Sequence, residues 1–275
     1  AHWLYTPTIE ERIERINQVS LDDVKRCHQD FYGSTDAELA IVGDFEPKAI
    51  TETLQQSLGD WKSPKPYQRI STPYQDIKAI DLNLETPDKA NAVYQAGMNL
   101  KIRDDHPDFP ALVLGNYLFG GSADSRLWRR VREQEGLSYS VVSSLTASAF
   151  ETRGDFKIFA IYAPQNRDRV EQAVDDEFTR VLKDGFTAEE VELAKAGYLE
   201  ARRIARGQDK ALAERLVNYL HRNRTLQWDI AFEKNIAALT PELILTALRR
   251  HFDMTRLTQV KAGDFANTLS AKSPQ

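Results

Sequence analysis

The stretch from Ile16 to Phe45 lines up without a gap on the stretch from Ile236 to Phe265, and this constrains the fold more than any other feature. Ser20 answers to Thr240, Thr35 to Thr255, and Gly43-Asp44-Phe45 to Gly263-Asp264-Phe265, all 220 positions apart (263 minus 43). In both copies a helix-starting hydroxyl opens an amphipathic run and a short apolar strand closes on Gly-Asp-Phe. A matched cap and a matched strand end at one offset point to a repeat on the scale of a domain. The chain then reads as the tail of one unit followed by a complete sister unit, with the rest of the first unit expected upstream of residue 1.

The boundary between the two is marked by proline. In DWKSPKPYQRISTPYQD, residues 60–76, Pro64, Pro66 and Pro73 interrupt any helix and no apolar period survives. We therefore assign residues 1–62 to the C-terminal part of a preceding homologous unit, 63–76 to a linker, and 77–275 to a complete domain. The first segment predicts helices near 9–18, 21–32 and 46–58, the second of them capped by Ser20 with Asp22 and Asp23 behind it, and a strand in AELAIVGDF, residues 37–45.

Beyond the linker, Ile80, Leu82 and Leu84 alternate, and NAVYQAGMNL reads as a second strand. Phe109, Leu112, Val113 and Leu118 mark a helix. SYSVVSSLTASAF and DFKIFAIYA predict an antiparallel pair joined through ETRG, whose glycine is expected to supply the turn conformation. Val170, Val174, Phe178, Val181 and Leu182 share a helix face that stops at Gly185, and Thr187 with Glu190 forms a capping box opening a long helix toward Tyr219, with a break expected at Gly207. The fold class is α+β: an antiparallel or mixed sheet with helices packed on one face.

Composition narrows the function classes. The net charge is -5 and the basic residues are scattered, which argues against a nucleic-acid partner. No apolar run reaches the roughly 18 residues of a membrane span. The first residues lack the basic start and apolar stretch of a signal peptide, so any targeting signal lies outside this chain and the compartment stays open. One cysteine, Cys27, cannot form an internal disulfide.

The stretch REQEGLSYSV, residues 132–141, places Arg132 at a helix end, Gly136 as a left-handed stop, and Tyr139 early in the next strand. On a helix begun at Ser125, Leu127, Trp128 and Val131 share a face, with Arg126, Arg129 and Arg130 roughly opposite and Arg132 on the border. That position suits a cleft-facing cation, and it equally suits an arginine laying its stem over Trp128. Tyr139 reads as a core aromatic on the same terms. RVREQE, Arg132 excepted, reads as a solvated helix end. GGSADS, residues 120–125, lacks the lysine of a phosphate loop and reads as a tight connection ending in a helix cap. Ser138 and Ser140 have no histidine at a readable spacing for nucleophilic catalysis.

NYLFGGSADSRLWRRVREQEGLSYSV, residues 116–141, resembles the second-half signature of the insulinase and pitrilysin family of zinc peptidases, and SLDDVKRCHQDFYGSTDAELAIVGDFEP, residues 20–47, resembles the close of a unit in that family. The family's catalytic half uses an inverted His-x-x-Glu-His helix to hold zinc. Here His2, His28, His106, His221 and His251 are followed three positions on by Tyr, Phe, Phe, Arg and Met, never by Glu. The resemblance therefore implies the non-metal half of a zinc endopeptidase. No metal site is expected in this chain, zinc is expected in a homologous partner half, and the chain alone is expected to be inactive. Arg132 and Tyr139 are implied as catalytic and substrate-binding residues that reach an unfolded peptide and the oxygen that becomes negative during hydrolysis. Two alternatives stand beside this: a scaffold domain resembling the family's respiratory-complex core subunits, and an independent peptide-binding module.

Overall fold

The structure, a computed structural model, describes residues 5–270. His2 lies outside the described residues. The chain divides into two compact units, one ending at Ile70 and the other beginning at Ser71, inside the proline-rich stretch.

In the first unit, helices α1 (Ile9–Gln18), α2 (Leu21–Phe31) and α3 (Pro47–Leu58) form where the periodicity placed them. Thr8 with Glu11, and Ser20 with Asp23, close capping boxes at the first two. None of the three helices buries a residue. Ile9, Ile16, Leu21 and Phe31 are all at least 60% exposed. The strand expected over residues 37–45 does not form. Its alternation is real, but a strand needs a neighbour to accept its backbone bonds, and among the described residues this unit contains no other strand.

The second unit contains a five-stranded sheet. Its strands are β1 (Asp81–Glu85), β2 (Ala92–Leu100), β3 (Ser138–Ala147), β4 (Gly154–Tyr162) and β5 (Thr258–Gly263), in the order β1-β5-β2-β4-β3. β1 runs parallel to β5 and the remaining pairs are antiparallel, so the sheet is mixed. Edge strand β1 stays exposed along its length. Ala96 faces Ile158 and Met98 faces Phe156 across the β2–β4 pair, and all four are buried on one face. On the other face Gln95 and Lys157 are exposed.

Helices α4 (Phe109–Asn116), α5 (Arg126–Trp128), α6 (Arg167–Asp184), α7 (Ala188–Arg206), α8 (Asp209–His221), α9 (Leu226–Ala237), α10 (Pro241–His251) and α11 (Phe265–Ser270) complete the unit. Val170, Val174, Phe178 and Val181 are buried as their shared face requires, and Phe178 stacks on Phe252 while tilting against Phe156. The Thr187–Glu190 capping box forms, and the long helix breaks at Gly207 into α7 and α8. Gly154 plays a different part from the one expected. Its φ is not positive; it is the first residue of β4, where a Cβ would come within 2.8 Å of the Thr146 carbonyl oxygen and 2.9 Å of Ile102. Close approach, not turn geometry, demands glycine there.

The internal repeat has a structural counterpart. α10 begins and ends 220 positions after α2 (241 minus 21, 251 minus 31). The segment matching β5 in the first unit, residues 38–43, carries no strand. β5 itself lies between β1 and β2, with partners on both sides.

Candidate functional site

α5 opens at Ser125, whose backbone is extended as a cap requires, although its hydroxyl donates to the Ser122 carbonyl at 2.6 Å and not to the helix. Leu127 and Val131 are fully buried, which anchors the segment. From Arg129 to Gln134 the helix widens to π geometry, with the Glu135 N–H donating to the Arg130 carbonyl at 3.0 Å. Such an i to i+5 step shifts the faces away from those of an ordinary helical wheel.

The arginines of this segment differ in environment. Arg130, expected in a solvated run, is 18% exposed at its side chain and bonds Glu135 at 2.9 Å, Asp176 at 2.8 Å and Glu177 at 3.3 Å. Arg126 makes a forked pair with Glu190 at 2.8 and 2.7 Å and lies over the Phe186 ring. Those bonds, against the opposing effect of burial, hold the Glu190 carboxyl down to about 2. Arg129 stays exposed and lines, with Tyr117, Ser122, Arg126, Glu190 and Gly197, a cavity of about 570 Å³.

Arg132 is exposed, with its guanidinium 4.4 Å from the centroid of Trp128 and 5.2 Å from that of Tyr139. The tryptophan contact raised by the sequence is therefore present, and it coexists with a second aromatic contact. Gly136 has φ +59, the left-handed conformation that reverses the chain between the two residues.

Tyr139 is not a core residue: it is 82% exposed. A β-bulge is the cause. Ser138 pairs with Tyr162 and Ser140 with Ile161, so Tyr139 is the extra residue. Further along β3, Val141 and Ser143 point inward. Unbroken alternation would turn Tyr139 inward with them; the bulge turns it out. Ser138 fixes the bulge: its hydroxyl accepts from the Ser140 N–H at 3.1 Å and has the Ile161 and Ser140 carbonyls at 2.6 and 2.8 Å, one of which takes its single proton. Among the described residues neither Arg132 nor the Tyr139 hydroxyl makes an ion pair or hydrogen bond, so both present free donors.

The described residues do not form the zinc site of a metallopeptidase. Among the described residues, one group of three potential ligands lies within reach of a single ion, His106, Asp108 and His251, and it contains no glutamate to activate water. Sequence reasoning missed this group because its two histidines are 145 positions apart (251 minus 106) and share no motif.

A family model described as the peptidase M16 inactive domain matches residues 18–198. Over 174 residues the chain is 22% identical to the uncharacterized zinc protease YmxG of Bacillus subtilis, covering 63% of this chain and 41% of that protein. Over 247 residues it is 21% identical to the non-peptidase homolog YmxG of Helicobacter pylori, covering 89% and 56%. It superposes on the crystal structure of a peptidase M16 inactive domain from Pseudomonas fluorescens with a TM-score of 0.77 and 26% identity, over 91% of this chain and 59% of that one. The chain thus spans about half the length of the curated relatives it matches. No helix among the described residues is long and apolar enough to cross a membrane. The match takes in α2 as well as the Arg132–Tyr139 reversal, and on it the chain belongs to the peptidase M16 family, whose inactive domain it carries.

Proposed function

We propose that this chain is the non-metal half of a zinc endopeptidase, working with a homologous half that holds the zinc and closing with it on unfolded peptide. Arg132 and Tyr139 are its substrate-binding and transition-state-stabilising residues. The observation that carries this reading is the bulge in β3, which lifts Tyr139 out of the core and sets its phenol beside a cation. A permanently charged forked donor next to a neutral hydroxyl donor suits a peptide carbonyl that gains negative charge during hydrolysis. A tyrosine with only a packing role has no need of a bulge that exposes it.

A second reading, a scaffold of the same fold, is favoured by the names of two relatives: the non-peptidase homolog from Helicobacter pylori and a protein from Bacillus subtilis called a probable inactive metalloprotease. Peptide hydrolysis by the chain together with its zinc-bearing half separates the two. Loss of turnover in Arg132→Ala and Tyr139→Phe, with assembly intact, supports the peptidase reading. Turnover untouched by both variants supports the scaffold.

A further inference from the structure

We propose that His106, Asp108 and His251 form a binding site for a divalent transition-metal ion of the zinc class. Their potential ligand atoms all lie within 4.8 Å of one another. They come from two packed elements: His106 and Asp108 from the loop entering α4, and His251 from the last turn of α10. The His251 Nε2 lies 2.9 Å from Asp108 Oδ2, with side chains 12% and 18% exposed.

The separation of the two rings is close to that of two imidazoles on a tetrahedral ion. The His106 and His251 rings are nearly perpendicular, 88° between planes, with centroids 5.2 Å apart. Two imidazoles on one zinc, each at a metal–nitrogen distance of about 2.0–2.1 Å, have centroids about 5 Å apart. The His251–Asp108 pair would open by only a few tenths of an ångström as the ion replaced the proton between them. Two imidazoles and a carboxylate select zinc, cobalt or nickel over magnesium and calcium, which take oxygen ligands. A fourth position would be left to water.

Two contacts oppose loading. Asp108 Oδ2 also accepts from Arg250 Nη1 at 2.6 Å, and His106 Nδ1 accepts from the Asp108 N–H at 3.1 Å. Arg250 is 58% exposed and can return to water at small cost. His106 must give up the backbone bond or turn its ring over to offer the other nitrogen. The ion would pin the loop after β2 to the end of α10, next to Phe252 and the aromatic core it joins.

The test is titration of zinc chloride into the 275-residue chain carrying Cys27→Ser, which removes an exposed thiol. Calorimetry and metal analysis after dialysis are the readouts. One equivalent is expected, with tetrahedral cobalt absorption when cobalt replaces zinc. His106→Gln and His251→Gln should each weaken binding by about tenfold or more. Arg250→Ala should strengthen it about threefold, because it frees the Asp108 carboxylate. That gain cannot come from a damaged fold; circular dichroism checks the histidine variants. No binding at about 100 μM zinc overturns the proposal. So does unchanged affinity in both histidine variants, or an Arg250→Ala variant that binds no better.

Discussion

The guanidinium of Arg132 lies over the ring of Tyr139, 5.2 Å from its centroid, across a reversal made by Gly136. Its other neighbour is the Trp128 ring at 4.4 Å, so two aromatic faces steady a cation whose N–H edges remain free. With the zinc-bearing half supplied, Arg132→Ala or Tyr139→Phe is expected to lower kcat by roughly two to three powers of ten, as when one donor to a developing oxyanion is lost. Arg132→Lys should rescue incompletely, because an ammonium lacks the fork. Arg129→Ala, removing an exposed arginine from the same segment, should change turnover little. Melting temperatures measured alongside separate a catalytic loss from a folding one.

The reversal itself should be sensitive to substitution. Gly136→Ala puts a Cβ on a left-handed residue, at a cost of about 1–2 kcal/mol. Ser138→Ala removes the hydroxyl that accepts from the Ser140 N–H and donates to one carbonyl of the bulge, at about 1–3 kcal/mol. Denaturant midpoints measure both. The second variant should also lose tyrosine exposure in solvent-quenching experiments, since a strand that regains plain alternation turns Tyr139 inward.

Much of this was legible in the sequence. Val170, Val174, Phe178 and Val181 announced a buried helix face, and Thr187 with Glu190 announced its successor, because both signals depend on residues within one or two turns. The bulge at Tyr139 was not, since it depends on which residues of β4 stand opposite. Nor were the π turn and the ion pairs of Arg130 with Glu135, Asp176 and Glu177, which depend on how α6 packs against this segment. The pairing of His106 with His251 exists only once α4 and α10 are packed.

Asp229 anchors a buried polar network, with its side chain 4% exposed between Tyr219 at 2.5 Å, Arg215 at 2.6 Å and Arg202. Burial opposes its charge, but the bonds from Tyr219 and Arg215 outweigh this and hold its carboxyl below the usual range. Asp229→Ala strands Arg215 and the Tyr219 hydroxyl, while Arg202 keeps Glu233 at 2.8 Å, and should cost about 3–5 kcal/mol. The native contribution is present above the unfolded value of about 3.9 and fades as pH falls through the lower folded value. The variant's deficit in urea unfolding should therefore shrink at acid pH.

Asp175 should behave in the opposite sense. Burial, together with the nearby charge of Glu171, raises its carboxyl, and Oδ1 is buried without a hydrogen-bond partner. A raised acid stabilises the fold below its unfolded value of about 3.9 and loses that contribution as pH rises through the folded value. At neutral pH the ionised group is a burden. Asp175→Asn is expected to raise the unfolding free energy at pH 7 by about 1 kcal/mol, read from the denaturant midpoint, with the gain vanishing near pH 3. A variant less stable at pH 7 would show that Asp175 has a partner worth more than its burial.

Residues 38–43 give the last prediction. Their counterpart 220 positions on is β5, whose backbone is paired on both sides by β1 and β2. Here Leu39 and Ile41 are 53% and 40% exposed and the segment forms no strand. An apolar alternating stretch outside any strand should exchange hydrogen quickly in this chain alone, far faster than the amides of β5. If the first unit is the tail of a sister domain, adding the zinc-bearing half supplies the missing neighbours, and amides 38–43 should slow by about 100-fold or more as they enter a sheet. Protection of α1 and α2 should rise with them, because the faces of Ile9, Ile16, Leu21 and Val24 would then have a sheet to cover. Slow exchange over residues 38–43 before any partner is added would mean that this unit already closes its own core, and the assignment of residues 1–62 to a sister domain would fall.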